Sequence, residues 1–269
     1  MTLSGKVYFQ YYNNIPVTKN IYDLQMGFEA RGFEIIPVNI NLKKFSDFKV
    51  EDSILSEFKK EDILCSGFPL YRKVAEYVGL PQPFFESYPE VLKKFTDRSI
   101  TETTLGQLYK NLTEEFKPFF VKPKKEVKLF TGIVVRGRMD LLKIPATIPD
   151  NTELYVAEIV DFISEYRVYV NQQNIYAEDG ILDCKSYNGN PLIFPDAEKI
   201  KEIVKIYNLS GAPKCYGIDF GVVRNGNKLK TILVEVNGAL QLGSYGLNPY
   251  VYSQMVEDAW IDMLNKSYI

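Results

Sequence analysis

The sequence predicts a mixed fold: an open α/β lobe at the N-terminus, then an α+β region. Three observations carry this expectation. Strand-like and helix-like stretches alternate over residues 1–90, the pattern of a small α/β lobe. Beyond residue 115, aromatic and β-branched runs follow one another with few helices between them. The length of 269 residues, 46% hydrophobic and 25% charged, suits either one large domain or two to three small lobes around a shared cleft.

Residues 6–12 read as a strand from their aromatic and β-branched content. Asn20 is the expected cap of a helix over 21–31, with Ile21, Leu24 and Phe28 on one face and Gly32 as the stop. Residues 33–38 read as a second strand, in which Pro37 suggests an edge or a strand end. A third strand is expected at 62–66, then a helix near 70–78. Residues 81–98, with Pro81, Pro83 and Pro89, read as a connector, and a helix is expected near 101–111. Two strands, 119–122 and 130–135, flank a basic loop over 123–128. Further strands are expected at 154–160 and 166–170. The helix expected from Asp196 to Tyr207 has Ile200, Ile203, Val204 and Tyr207 on one face. Strands at 215–223 and 229–236 surround Arg224 to Lys228, and a last helix runs from about Pro249 to Leu264.

Composition removes several chemistries. There is no histidine, so imidazole bases, Ser-His-Asp systems and histidine zinc sites are excluded. Cys65, Cys184 and Cys215 are far apart and form no metal-type or redox pair. A net charge of −2 and a pI near 5.5 argue against nonspecific nucleic-acid binding. No apolar run is long enough to span a bilayer, and Met1 to Lys6 lack a secretory pattern, so a cytoplasmic location is expected. Residues 1–90 hold neither glycine-rich phosphate fingerprint.

The candidate chemistry lies in the second half. In Ile232-Leu233-Val234-Glu235-Val236-Asn237, Glu235 and Asn237 share a strand face. A carboxylate and an amide oxygen there suit Mg²⁺, with Asp219 as a third ligand. Hairpin register tests this. A two-residue Asn225-Gly226 turn puts Asp219 and Glu235 on opposite faces. A three-residue loop makes them diagonal neighbours, and a five-residue loop sets them opposite each other. The metal site is therefore expected to need an odd-numbered loop; otherwise the segment is an exposed acidic hairpin. Lys122, in Phe-Phe-Val-Lys-Pro, is either a strand-end charge in solvent or a phosphate ligand. Lys124, Lys125 and Lys128 follow it. Glu165 and Arg167 share a strand face, where they either pair with each other or serve a ribose hydroxyl and a phosphate.

Six segments occur in one order: F-V-K-P, F-T-G-I-V-V, V-A-E-I-V, S-E-Y-R-V-Y-V, G-I-D-F-G-V and L-V-E-V-N-G. This order resembles the ATP-grasp superfamily, and is most similar to the clade named for one arginine and two lysines. The likeness runs from about Pro89 to the C-terminus and includes Leu242 to Gly246 and Trp260. It implies an N-terminal lobe over residues 1–95 and an ATP-grasp domain over 96–269. Within that domain, a small ATP-binding lobe would span about 115–170 and a metal-binding lobe 171–269. By position, Lys122 and Lys128 would contact ATP phosphates, and Arg167 would stabilise the transferred phosphoryl group. Glu158, Ile159 and Val160 would line the adenine. Glu165 would hold ribose or orient Arg167. Asp219, Glu235 and Asn237 would hold one or two Mg²⁺. The implied activity is ligation of a carboxylate to an amine or similar nucleophile, with small molecules or peptides as substrates and no membrane or nucleic-acid partner. A phosphotransferase on the same fold and a non-catalytic nucleotide-binding protein are the alternatives, and the oligomeric state is open.

Overall fold

The structure is a computed structural model that describes residues 3–266 except 41–55, 82–85, 114, 126–128, 176, 179–180 and 183. The N-terminal sheet is centred on β1 (Lys6–Tyr12). It pairs in parallel with β3 (Glu34–Asn39) and β4 (Ile63–Cys65), and antiparallel with the short β2 (Ile15–Pro16). The β1–β2 turn is Asn13-Asn14, both at positive φ (48° and 61°), a conformation that asparagine tolerates better than most residues. Pro37 lies in β3, which pairs only with β1 among the described strands, so its missing N–H disrupts no ladder.

Helix α1 (Lys19–Ala30) starts two residues before its expected start. Thr18, not Asn20, is its cap: the Thr18 hydroxyl accepts from the Ile21 amide at 3.3 Å. Helix α2 (Phe68–Val78) closes the first lobe and ends on Gly79 in the left-handed region (φ 68°), a usual helix stop.

The second sheet runs β5 (Ile100–Thr104), β8 (Glu153–Glu158), β6 (Phe119–Pro123), β7 (Ile133–Val135), all antiparallel. The helix expected near 101–111 is thus half strand. The β-branched run Ile-Thr-Glu-Thr-Thr pairs with β8, and Thr104 caps a shorter α3 (Leu105–Asn111). The strand expected over 130–135 is confined to its last three residues.

The third sheet is centred on β9 (Ser164–Asn171), flanked on one side by β14 (Tyr216–Asn225) and then β15 (Lys228–Gly238). On its other side lie β10 (Asn174–Ile175) and β13 (Cys184–Gly189). A small hairpin, β11 (Ala177–Glu178) with β12 (Ile181–Leu182), stands between them. Helix α4 (Ala197–Leu209), capped by Asp196, buries Ile200, Ile203, Val204 and Tyr207 against this sheet.

The last helix, α5 (Pro249–Lys266), packs on the N-terminal lobe. Its Met255, Val256, Trp260 and Leu264 share one core with Val7, Phe9, Leu24 and Phe28. The approach to α1 is close: a Cβ on Gly27 would lie 2.0 Å from the Pro249 carbonyl oxygen. Arg31 pairs with Glu257 across the same contact. No helix among the described residues is long and apolar enough to cross a membrane.

Candidate active site

Three neighbouring strands bring Arg167, Asp219 and Glu235 into one row. Asp219 on β14 lies opposite Arg167 on β9 and opposite Glu235 on β15. The next row on that face is Tyr169, Gly217, Asn237, and Gly221 lies opposite Glu165. Asp219 is therefore flanked by two glycines on its own face, which keeps the strand bare beside it. The bareness is needed: a Cβ on Gly217 would stand 2.9 Å from a Leu242 methyl, and one on Gly221 would stand 2.2 Å from the Phe162 ring.

The hairpin reaches this register by a route the sequence did not reveal. Its turn is the two-residue Gly226-Asn227, with Asn225 opposite Lys228. An even turn alone would have put Val234 opposite Asp219. A β-bulge restores the match: Phe220 pairs with Leu233, and Asp219 with Glu235, so Val234 is the extra residue. The expected odd-numbered loop is thus replaced by a bulge of equal effect. The bulge is secured from outside, because the Val234 carbonyl accepts from Arg98 Nη2 at 2.7 Å. The Val236 amide donates to the Ser87 carbonyl at 3.0 Å.

Arg167 grips Asp219 bidentately, Nε to Oδ1 at 2.7 Å and Nη2 to Oδ2 at 2.6 Å. Lys122, on β6 of the second sheet, reaches across to place Nζ 2.5 Å from Glu235 Oε2. The Asn237 amide donates to both carboxylates, at 3.2 Å to Asp219 and 3.1 Å to Glu235. Glu165 pairs with neither Arg167 nor Lys122. Its carboxylate accepts from the Tyr187 hydroxyl at 3.2 Å and from Asn188 Nδ2.

Burial opposes charge at each of these groups, and the neighbours decide the outcome. At Glu235 the Lys122 ammonium and the Asn237 amide outweigh burial, so the carboxyl pKa falls below its usual range. At Lys122 burial is outweighed chiefly by Glu235, and the pKa rises. At Asp219 burial prevails over Arg167, helped by repulsion from Glu235 and Glu165, and the pKa rises. Two carboxylates facing each other in a buried row hold a cation well.

The donor set fits Mg²⁺. Asp219, Glu235 and Asn237 converge as oxygen-bearing side chains, and an amide such as Asn237 can turn either its N or its O toward the pair. Among the described residues no group of three or more histidines, cysteines, aspartates and glutamates forms a metal cage. Two carboxylates and an amide are fewer ligands than a full shell, which suits an ion that keeps waters and takes substrate phosphates.

The remaining predicted residues are placed as follows. Glu158 ends β8 and turns back, its carboxylate accepting from the Ser99 amide at 2.8 Å. Ile159 and Val160 follow, half-buried, in the crossing from the second sheet to the third. Lys128 lies outside the described residues. Lys124 pairs with Glu102, and Lys125 with Glu153.

Four residues received no role from the sequence. Tyr88 is buried with the Lys122 ammonium 4.5 Å from its ring centroid. Arg98 stands beside the same ring at 5.7 Å. Tyr187 and Tyr245 stack at 5.1 Å, and the Arg167 guanidinium lies 5.7 Å from the first ring and 5.1 Å from the second. Tyr245 occupies the left-handed region at φ 43°, a strained position for a tyrosine. Its neighbouring glycines, Gly243 and Gly246, were a readable signal; Tyr88, in a proline-rich connector, offered none.

Residues 95–255 match a family model described as the ATP-grasp domain, family 2, of the clade named for one arginine and two lysines. No curated protein matches the sequence. Among solved structures, the chain is similar to the L-amino acid ligase from Bacillus licheniformis, with a TM-score of 0.57 at 13% identity, over 97% of this chain and 76% of that one. It is also similar to an ADP complex of purK, an N5-carboxyaminoimidazole ribonucleotide synthetase: TM-score 0.56, 10% identity, 97% of this chain and 78% of that one. The Staphylococcus aureus N5-carboxyaminoimidazole synthetase complexed with ADP gives a TM-score of 0.54 at 12% identity, over 96% and 78%. At these identities the structural likeness speaks for the fold, while the family match spans more than half of the chain. The row of Arg167, Asp219 and Glu235, the lysine reaching across from the second sheet and the family match agree: the chain belongs to the ATP-grasp superfamily, in family 2 of the arginine-and-two-lysine clade.

Proposed function

We propose that this ATP-grasp enzyme, which uses ATP and Mg²⁺, ligates a carboxylate to an amine or similar nucleophile through an acyl phosphate, releasing ADP and phosphate. The observation that carries the reading is the row Arg167–Asp219–Glu235 with Lys122 reaching it from the second sheet. Phosphoryl transfer asks for positioning and charge neutralisation more than for a proton relay, and a chain without histidine supplies both.

Asp219, Glu235 and Asn237 would hold Mg²⁺, which neutralises phosphate charge when bound. Lys122 and Arg167 exchange their carboxylate partners for phosphate oxygens, and Arg167 meets the transferred group with its planar fork. Lys128 adds a cation from the basic loop. Glu158, Ile159 and Val160 face the adenine at the crossing between the sheets, and Glu165 accepts from a ribose hydroxyl. The Tyr187–Tyr245 stack shields Arg167 from water, which would otherwise hydrolyse an acyl phosphate. One of the similar structures is named an L-amino acid ligase, so amino acids and short peptides are the first substrates to try. A cytoplasmic location belongs to the same proposal, in keeping with the absence of a disulfide among the described residues.

The test is ADP release against pools of amino acids, dipeptides and small acids, with the adduct detected by mass. Hydroxylamine replaces the amine in a second arm. A hydroxamate that needs both ATP and the acid is the expected result. A stable phosphorylated product without hydroxamate would make the protein a kinase for a hydroxyl group instead.

A further inference from the structure

The connector between the first and second sheets reaches the place where the second and third sheets meet. The Ser87 carbonyl accepts from the Val236 amide, which ties the connector to the strand carrying Glu235 and Asn237. Tyr88, the next residue, is 1% exposed. Its ring meets Tyr155 of β8 edge-on, with centroids 4.9 Å apart and planes at 84°. The connector thus touches both the second and the third sheet. The Lys122 ammonium lies 4.5 Å from the Tyr88 centroid, and the Arg98 guanidinium lies 5.7 Å from the same centroid.

A lysine on a strand ordinarily carries its charge to water along a flexible stem. Lys122 does not: it has two partners in the cleft, the Glu235 carboxylate and the Tyr88 ring. The two partners differ in what else they serve. Glu235 is also a ligand in the reading given above, and a carboxylate committed to a cation holds a lysine less strongly. The ring is no metal ligand: it is shared with Arg98, the more distant cation, and its negative face attracts the ammonium whether or not Glu235 is committed to a metal.

We propose that Tyr88 is a positioning residue of the nucleotide site, whose ring face keeps the Lys122 ammonium aimed at the phosphates once Glu235 serves the metal. This rests on the ATP-binding reading. A tyrosine that only filled space would leave the lysine indifferent to the electron density of its ring, and that difference can be measured.

The experiment replaces the ring without changing its size. Tyr88→Phe keeps the face and loses the hydroxyl; a trifluorinated phenylalanine at the same position keeps the shape and drains the face. ATP affinity is measured by calorimetry with Mg²⁺, in the wild-type background and with Lys122→Met. Tyr88→Phe is expected to stay within about two-fold of the wild type, and the fluorinated ring to weaken ATP about ten-fold. With Lys122→Met, itself about ten-fold weaker and still titratable, fluorination should change nothing. Equal weakening in both backgrounds would overturn the proposal, since the ring would then act on the base or the fold. So would a fluorinated ring that binds ATP as well as phenylalanine does. A wild-type protein that binds no MgATP would instead refute the nucleotide reading itself, and the inference with it.

Discussion

Arg167 and Asp219 meet inside one sheet, whereas Lys122 and Glu235 meet across two. The first pair is set by strand register: residues 167 and 219 are opposite each other on adjacent strands, and their side chains are 8% and 2% exposed. It exists whenever the third sheet is folded. The second pair needs the second sheet to lie close to the third, and its side chains are 11% and 26% exposed. It therefore depends on how the second and third sheets sit against each other. The contrast separates a fixed half of the site from a half that depends on lobe position.

The largest effect is expected where the two halves join. Glu235→Gln keeps the shape of the residue but removes the charge that pairs with Lys122 and that the proposed function gives to the metal. ADP release at saturating MgATP should fall about a hundred-fold or more, and excess chelator should do the same to the wild-type protein. The far-ultraviolet circular dichroism should be unchanged. Turnover that survives either treatment would remove Glu235 from the metal site.

Next comes the difference between the two cations. Arg167→Met strands a buried aspartate beside a second carboxylate, and breaking such a buried pair costs about 3–5 kcal/mol. Lys122→Met strands the less buried of the two carboxylates, Glu235, with its Asn237 hydrogen bond intact, and should cost less, about 1–3 kcal/mol. Urea unfolding of both variants checks this directly. Equal losses would mean that the Lys122 pair is as much a part of the folded core as the Arg167 pair, and the division into fixed and movable halves would fail.

The same contrast marks what the sequence made legible. That Glu235 and Asn237 share a face, with Asp219 on the preceding strand, was readable because a strand repeats every two residues. Their joint register was not readable: the turn length argued for one parity and the Val234 bulge supplied the other. Strands rich in aromatic and β-branched residues lie within a few residues of where local composition puts them. Residues 101–104 read as the start of a helix although their threonines are β-branched; pairing with β8, distant in sequence, makes them a strand. Asn20 has the chemistry of a helix cap, yet Thr18 takes that role and Asn20 binds Ser244, far along the chain. Tyr88 and the docking of α5 on the first lobe are likewise products of long-range packing, which no local pattern records.

The smallest effect is expected at Asn20, and it tests whether the fixed half depends on the N-terminal lobe. Asn20 Oδ1 accepts from the Ser244 backbone amide at 2.9 Å and lies 3.2 Å from the Ser244 hydroxyl. Asp23 accepts from the same hydroxyl at 2.5 Å, and the Tyr169 hydroxyl donates to the Gly243 and Ser244 carbonyls. The loop that carries Tyr245 is thus held from two sides. A strained residue persists only where its surroundings over-determine it. Asn20→Ala removes one support, leaves the Ser244 amide without its acceptor, and should cost about 1 kcal/mol of stability. Tyr245 then relaxes away from Arg167 part of the time. ADP release should fall about two- to five-fold, while the affinity for MgATP, which the proposed function assigns to Lys122, Arg167 and the metal ligands, stays the same. An affinity that falls with the rate would mean that the first lobe supports the nucleotide contacts themselves. A rate that does not change would mean that Tyr245 has no part in shielding the phosphoryl group.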